Sequence, residues 1–211
     1  MNFIQILWQK IRVRMITRVK GEGNILKIEG KIVKNSKIRV NGNHNMIVIE
    51  EGRYKNLDIG IEGNNHKLLI KSSDRIAGLK IVIQNTHNEI RVGRGVGIAE
   101  ALIVACGKNN CISIGENSMI STDVAIWGCD GYSILHDGDV VNFSKSIEIG
   151  SHVWVGSSVK ILKGTKIGNN SIVGLGSLLN GKEYPSNVVI VGIPGKIVKE
   201  NIDWTVENLE V

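Results

Sequence analysis

"IEIGSHVWVGSSVKILKGTKIGNNSIVGLGSLL", residues 147–179, repeats its own pattern every six residues. Ile149, Val155, Ile161, Ile167, Val173 and Leu179 are spaced six apart, and Gly150, Gly156, Gly168 and Gly174 follow four of them. Four residues after each of the first five stands a small or branched residue: Val153, Val159, Thr165, Ser171 and Ser177. Six residues make one short strand and a corner. Three such units close a triangular coil, and stacked coils bury a continuous inner column. The stretch predicts a parallel β-helix, an all-β fold.

Upstream the repeat is longer. A polar residue followed by two alternating apolar ones recurs at Asn24–Ile28, Asn45–Ile49, His66–Ile70, Asn88–Val92 and Asn110–Ile114, with offsets of 21, 21, 22 and 22. A second apolar pair lies partway along each unit: Ile38/Val40, Ile59/Ile61, Ile81/Ile83, Ile103/Ala105 and Ala125/Trp127. Alternation with period two marks strands with one buried face. Gly and Asn follow the first four pairs, where a tight turn needs a left-handed backbone. These units read as the same coil with extra residues at a corner. Asn24, Asn45, Asn88 and Asn110 are expected to stack as a ladder. His44, His66 and His87 fall at those corners and read as scaffold.

The rest of the composition fits such a fold. The chain has 211 residues, 42% of them hydrophobic and 22% charged, enough for one domain with a real core. Gly numbers 25, Pro 2, and aromatics are 4%, so the core is built from small, regular layers. A net charge of +6 suits an anionic ligand, nucleic acid or an anionic membrane surface. Cys106, Cys111 and Cys129 form no CxxC pair; an odd number with no secretory signal predicts free thiols in a reducing, cytoplasmic setting. Cys106 and Cys111 read as small buried hydrophobes. In residues 1–20, Ile4, Leu7, Ile11, Met15 and Val19 recur at helical spacing beside Lys10, Arg12 and Arg14. The expectation is an amphipathic helix that covers an open end of the fold. Its basic residues also suit weak contact with the inner membrane face. Residues 21–184 form the β-helix, with an active-site loop at about 128–146, and residues 185–211 a tail or short helix.

The hexads together with "VGIPGKIVKENIDW" (191–204) resemble the hexapeptide-repeat acyltransferases, most of all the bacterial sugar and polysaccharide O-acetyltransferases. The close match covers roughly residues 106–204. The resemblance implies a left-handed parallel β-helix, a homotrimer, and acetyl-CoA lying in the groove between subunits. It implies acetyl transfer to a sugar hydroxyl of a surface glycan or its precursor.

Acyl transfer needs a base for the hydroxyl proton, donors for the oxyanion, and a donor held in line. The flat faces of a β-helix supply none of these, so the one long interruption, 128–146, is the candidate site. The family's stretch there reads Asp-x-His-x-Ile, with the His as general base. Here the aligned residues are Asp130-Gly-Tyr132-Ser-Ile134. Three readings stay open. His136 supplies the imidazole from a reshaped loop, oriented by Asp137 or Asp139. Tyr132 itself takes part, although a phenol is a poor base near neutrality. Or the loop binds without catalysing.

Trp154 matches a family aromatic near the acceptor, and it alternates with Val153 and Val155, so it points outward. His152 shares that parity but has no motif behind it and reads as surface. The resemblance places Ser157 and Leu175 where the main chain holds the pantetheine arm, and Asn180 and Lys182 in the turn before Pro185. Lys196 and Lys199 would meet the nucleotide phosphates, where lysine acts as a point charge. The same fold carries zinc enzymes, but His136 and His152 are the only histidines in the second half, so no metal is expected. No nucleotide-hydrolysis or zinc-protease motif appears, and no nucleic-acid partner is expected. Two alternatives stand beside O-acetyl transfer: an N-acetyltransferase of an amino sugar or small-molecule drug, and a catalytically silent β-helix that binds glycan or assembles with other enzymes.

Overall fold

The computed structural model of the protein describes residues 5–8, 15–33 and 35–207. Its strands wind around a three-sided prism. Each circuit places a strand on a first face, then a second, then a third, as Ile25–Ile28, Lys31–Val33 and Ser36–Asn41 do. Among the described residues the first and second faces hold nine strands each and the third eight. The register reproduces the sequence offsets: Ile25 lies beside Met46, Met46 beside Lys67, Lys67 beside Glu89, and Glu89 beside Cys111. Beyond the long loop the step shortens to the hexad coil, and Lys160 lies beside Leu178.

The inner column is the one the hexads define. Ile149, Val155, Ile161, Ile167, Val173 and Leu179 are all at most 2% exposed. Val153, Val159, Thr165, Ser171 and Ser177 are buried at the corners. The hydroxyls there are satisfied by local carbonyls: Thr165 Oγ1 donates to Leu162 O at 2.6 Å and Ser177 Oγ to Gly174 O at 2.7 Å. One upstream expectation shifts by a residue. Val124 and Ile126, not Ala125 and Trp127, face inward, because Ala101 pairs with Val124 and Ile103 with Ile126. A step of one extra residue flips every side chain on that strand to the other face.

The polar ladder forms and includes His66. Asn24 Oδ1 accepts from Asn45 N at 3.0 Å, Asn45 Oδ1 from His66 N at 2.9 Å, and Asn88 Oδ1 from Asn110 N at 2.8 Å. His66 is fully buried, and its Nδ1 accepts from Asn88 N at 3.1 Å. That acceptor role requires a neutral ring, and burial pushes the His66 pKa below its ordinary 6.5. A lowered histidine pKa leaves stability intact above the unfolded value and erodes it as pH falls from there toward the folded value. His66→Asn is therefore expected to keep the ladder and to flatten the fall of the melting temperature below about pH 6.5. Calorimetric scans between neutral and mildly acidic pH check this; equal slopes for both proteins would refute it.

The two ends differ from expectation. Gln5–Trp8 and Met15–Lys20 are strands, pairing in parallel with Ile25–Ile28 and Ser36–Asn41. The remainder of the expected helix, residues 1–4 and 9–14, lies outside the described residues. The physical reason is that an open coil end offers unpaired backbone edges. The sequence also supports strand, since Ile11, Val13, Met15, Thr17 and Val19 alternate with period two. At the other end no short helix forms among the described residues. Val188–Val191 completes the second face, and Lys196–Glu200 folds back on it antiparallel.

Cys106 and Cys129 are joined as a disulfide, with Cα atoms 5.7 Å apart, which corrects the expectation of free thiols there. They are neighbours because the strands holding Val104 and Trp127 pair in register, so the residues two further on meet as well. Cys111 is free and half-buried, and burial raises its pKa.

Candidate active site

The loop leaves the corner between the third and first faces, directly after Cys129. Its tip is a hairpin in which Leu135–His136 pairs antiparallel with Asp139–Val140. Asp137 and Gly138 form the turn with φ of 50° and 88°, the left-handed pair that a tight two-residue hairpin requires. His136 thus stands at the end of a short ribbon. Its Nε2 lies 3.4 Å from Asp137 Oδ2, and its side chain is 79% exposed.

The base of the loop is braced by three residues. Asp130 Oδ2 accepts from Lys163 Nζ at 2.5 Å and from Asn142 Nδ2 at 2.8 Å. Asn142 also donates to Tyr132 O at 2.8 Å and accepts from Ile134 N at 2.7 Å. Lys163 Nζ reaches Asn142 O at 2.9 Å. The Lys163 hydrogen bond, with help from Asn142, holds the Asp130 carboxyl below its usual range. Asp130 is therefore an anchor for the segment that carries Tyr132 and not a free acid or base. Tyr132 is 91% exposed and, among the described residues, is held by its backbone alone. The neck closes through Lys145 N donating to Gly128 O at 3.1 Å and through the Cys106–Cys129 bond.

The other sequence-chosen residues occupy different edges of the prism. Asn180 pairs in register with Leu162, so Asn180 and Lys182 share the loop's corner, one coil beyond Lys163. Trp154 lies on the second face and is 43% exposed. Lys199 ends the same row, through Ile172 and Val189. Lys196 is exposed on the same returning strand. Ser157 and Leu175 sit one coil apart at the corner between the second and third faces, where Gly176 N donates to Ser157 O. Leu175 is 78% exposed, and its own main chain makes no hydrogen bond among the described residues. Its amide is open to solvent. One face width, on the order of 15 Å by strand rise, separates this corner from the loop.

Sequence reasoning missed four contributors. Asn142 and Lys163 carry no local signal, because their partners are 12 and 33 residues from Asp130 along the chain. The Cys106–Cys129 pair was legible in principle, as its separation of 23 is one coil plus the extra residue. Trp204 stacks on His152 with ring centroids 4.2 Å apart and 12° between planes, so His152 is half-covered and not plain surface. Trp204 also tilts toward Trp154 at 6.0 Å.

The family described as "Bacterial transferase hexapeptide (six repeats)" matches residues 146–181. The chain is 34% identical over 125 residues to the polysialic acid O-acetyltransferase of Escherichia coli O1:K1 / APEC, covering 58% of this chain and 40% of that protein. It is 37% identical over 93 residues to the galactoside O-acetyltransferase of Escherichia coli strain K12, covering 42% of this chain and 44% of that protein. The aligned stretch thus spans less than half the length of these curated relatives. In three dimensions the match is longer. The crystal structure of the polySia-specific acetyltransferase NeuO superposes with a TM-score of 0.76 at 29% identity, covering 92% of this chain and 90% of that one. The hexad register, the three-sided stack and these similarities converge: residues 146–181 carry the hexapeptide repeat of that family, and the fold is a left-handed parallel β-helix like that of the polySia-specific acetyltransferase.

Proposed function

We propose that the chain is an acetyl-CoA-dependent O-acetyltransferase that modifies a sugar hydroxyl of a surface polysaccharide or its precursor. The observation that carries this reading is the superposition on a polySia-specific acetyltransferase over 92% of the chain. The acetyl thioester supplies an activated acyl group when bound. The chain's own residues do the rest. His136, presented by the hairpin and backed by Asp137, takes the proton from the acceptor hydroxyl as its oxygen attacks, and returns it toward the departing sulfur. Trp154 gives the sugar ring an apolar surface. Ser157 and Leu175 offer backbone groups to the pantetheine arm. Asn180 and Lys182 line the corner beside the loop. Lys196 and Lys199 offer positive charge to phosphates.

One chain holds the loop and the Ser157–Leu175 corner on opposite edges of its third face. A homotrimer, with the loop of one subunit facing the corner of the next, resolves that separation. The outer surface of the third face supports it: Val82, Leu102, Val104, Trp127 and the cysteine pair form an apolar cluster outside the core. Sedimentation equilibrium is expected to give a trimer, and Leu102→Asp a monomer with unchanged far-ultraviolet circular dichroism. A monomeric wild-type chain would reject the arrangement. For location, no helix among the described residues is long and apolar enough to cross a membrane. We place the chain in the cytoplasm, where acetyl-CoA is made, with its basic N-terminal stretch suited to the inner membrane face.

The test of the activity is direct. The full chain is incubated with acetyl-CoA and a broad panel of glycan acceptors, and CoA is separated chromatographically. Acceptor-dependent CoA release is the expected result. A second reading, glycan binding without transfer, draws on Tyr132 standing in the histidine slot. It prevails if the panel yields binding but no release.

A further inference from the structure

Among the described residues, the segment 129–144 is bonded to the coils in two ways. One is the Cys106–Cys129 disulfide. The other is a single cation, Lys163, whose Nζ reaches Asp130 Oδ2 and Asn142 O. The segment's other hydrogen bonds run within it, as from Asn142 to Tyr132 O and from Val141 N to Ile134 O. The coil just before it is firmly held. Gly128 N donates to Val104 O at 2.9 Å, and Asn110 Nδ2 donates to Gly128 O at 2.8 Å and to Cys106 O at 3.2 Å. Cys129 is thus the first residue past the rigid coil. One coil earlier the same corner row is joined by side-chain contact, Gln84 Nε2 to Glu62 Oε2 at 3.5 Å, and Cys106 takes the row next, since Ile83 pairs with Ala105. Stacking at this corner therefore does not require a covalent bond. The bond stands where the loop departs.

We propose that Cys106 and Cys129 form a redox-responsive latch: closed as the disulfide, it fixes the loop that carries His136, and opened by a thiol reductant, it frees the loop and slows acetyl transfer. The proposal rests on the transfer and cytoplasmic readings above and adds regulation to that site. The cytoplasm keeps structural cysteines reduced, and a pair that closes there serves sensing or catalysis. The step is a thiol–disulfide exchange. A thiolate of the reductant attacks one sulfur of the pair, and the other cysteine leaves as a thiolate that takes up a proton. A second reductant thiolate attacks the first one's sulfur in the mixed disulfide, which frees the second cysteine to take up a proton as well. Two reductant thiols end as one disulfide, and their two electrons and two protons end on Cys106 and Cys129. The disulfide form of the same reductant closes the latch by the reverse steps.

The pair is reachable and suitably placed. Cys106 and Cys129 line a groove of about 560 Å³ at the base of the loop, together with Lys108, Tyr132, Asn142 and Phe143. Lys108 brings positive charge to that groove, which favours the thiolates through which exchange proceeds. Asp130, the carboxylate next to Cys129, is offset by its ion pair with Lys163. Cys111 stands apart on the first face beside Glu89, and burial pushes its thiol pKa up, so it is a poor competitor for exchange. With the latch open, Lys163 alone bonds the segment to the coils. A partly exposed ion pair is a weak tether beside a covalent bond. The hairpin that presents His136 then moves with its neck, and a base displaced by an ångström loses much of its rate.

The test equilibrates the full chain in glutathione buffers that run from oxidising to reducing across the cytoplasmic balance. Samples are quenched in acid, unfolded and alkylated. With three cysteines in the chain, one label marks the closed latch and three the open one. The expected result is a passage from one label to three within that range. Amide hydrogen exchange across 129–144 is expected to rise about tenfold or more as the latch opens, with the strand Val124–Trp127 unchanged. The C106S/C129S chain is expected to exchange fast in that segment in every buffer; should it fail to fold, the wild-type measurements decide alone. CoA release with an accepted glycan is expected to fall about tenfold or more in the wild type as the latch opens. A pair that stays closed or open throughout, loop exchange that ignores the redox state, or CoA release that ignores it would overturn the proposal. A chain that releases no CoA in any buffer rejects the transfer reading instead, and loop exchange then decides the latch.

Discussion

Replacing His136 with Ala is expected to lower kcat by about 10² to 10⁴, the usual contribution of a positioned general base. KM for acetyl-CoA should change little, because His136 sits on the hairpin and not at the Ser157–Leu175 corner. The hairpin should survive the change, since its turn depends on the positive φ of Asp137 and Gly138 and not on the imidazole. Tyr132→Phe removes the hydroxyl but leaves the backbone bond from Asn142 intact. Its kcat should stay within about threefold of wild type. The reverse pattern, full activity in the His136 variant and loss in the Tyr132 variant, would move the chemistry to the phenol.

The largest stability effect is expected at Gly42. Its φ of 143° is one that a side-chain-bearing residue rarely adopts. A Cβ there would collide with the carbonyl oxygen of Gly63 and lie 2.6 Å from its carbonyl carbon. Gly63 cannot yield, because its own Cβ position is blocked by Asn85 of the following coil. Gly42→Ala thus sets coil against coil along a whole corner. The cost is expected to be about 3 kcal/mol or more. For a chain of this size that lowers the melting temperature by roughly 6–12 °C. A shift within a degree or two in a thermal scan would mean that the corner relaxes freely.

The fold was legible because its information is local and periodic. Ile149 through Leu179 state the coil length, and the buried column follows from it. Where the period slipped by one residue, at Val124 and Ile126, the reading slipped with it. The N-terminal stretch fits two periods at once, and the unpaired coil edge, which no local pattern records, decided for strand at Gln5–Trp8 and Met15–Lys20. The site was legible only as a place. Residues 128–146 stand out by breaking the repeat, yet the brace that shapes them joins Asp130 to Lys163 and Asn142 across coils. Such contacts depend on which corner each residue reaches, and a single sequence states that only after the coil register is known.

The reversed strand Lys196–Glu200 has a bearing on solution behaviour. A solenoid of parallel coils is an open-ended template, and its last coil would recruit the first coil of another copy, growing into filaments. An incoming coil must run parallel to its neighbour. On the second face it would instead meet a strand of opposite polarity, every residue of which is solvent-exposed and two of which are lysines. On the second face the parallel template is closed at that end by the direction of five residues.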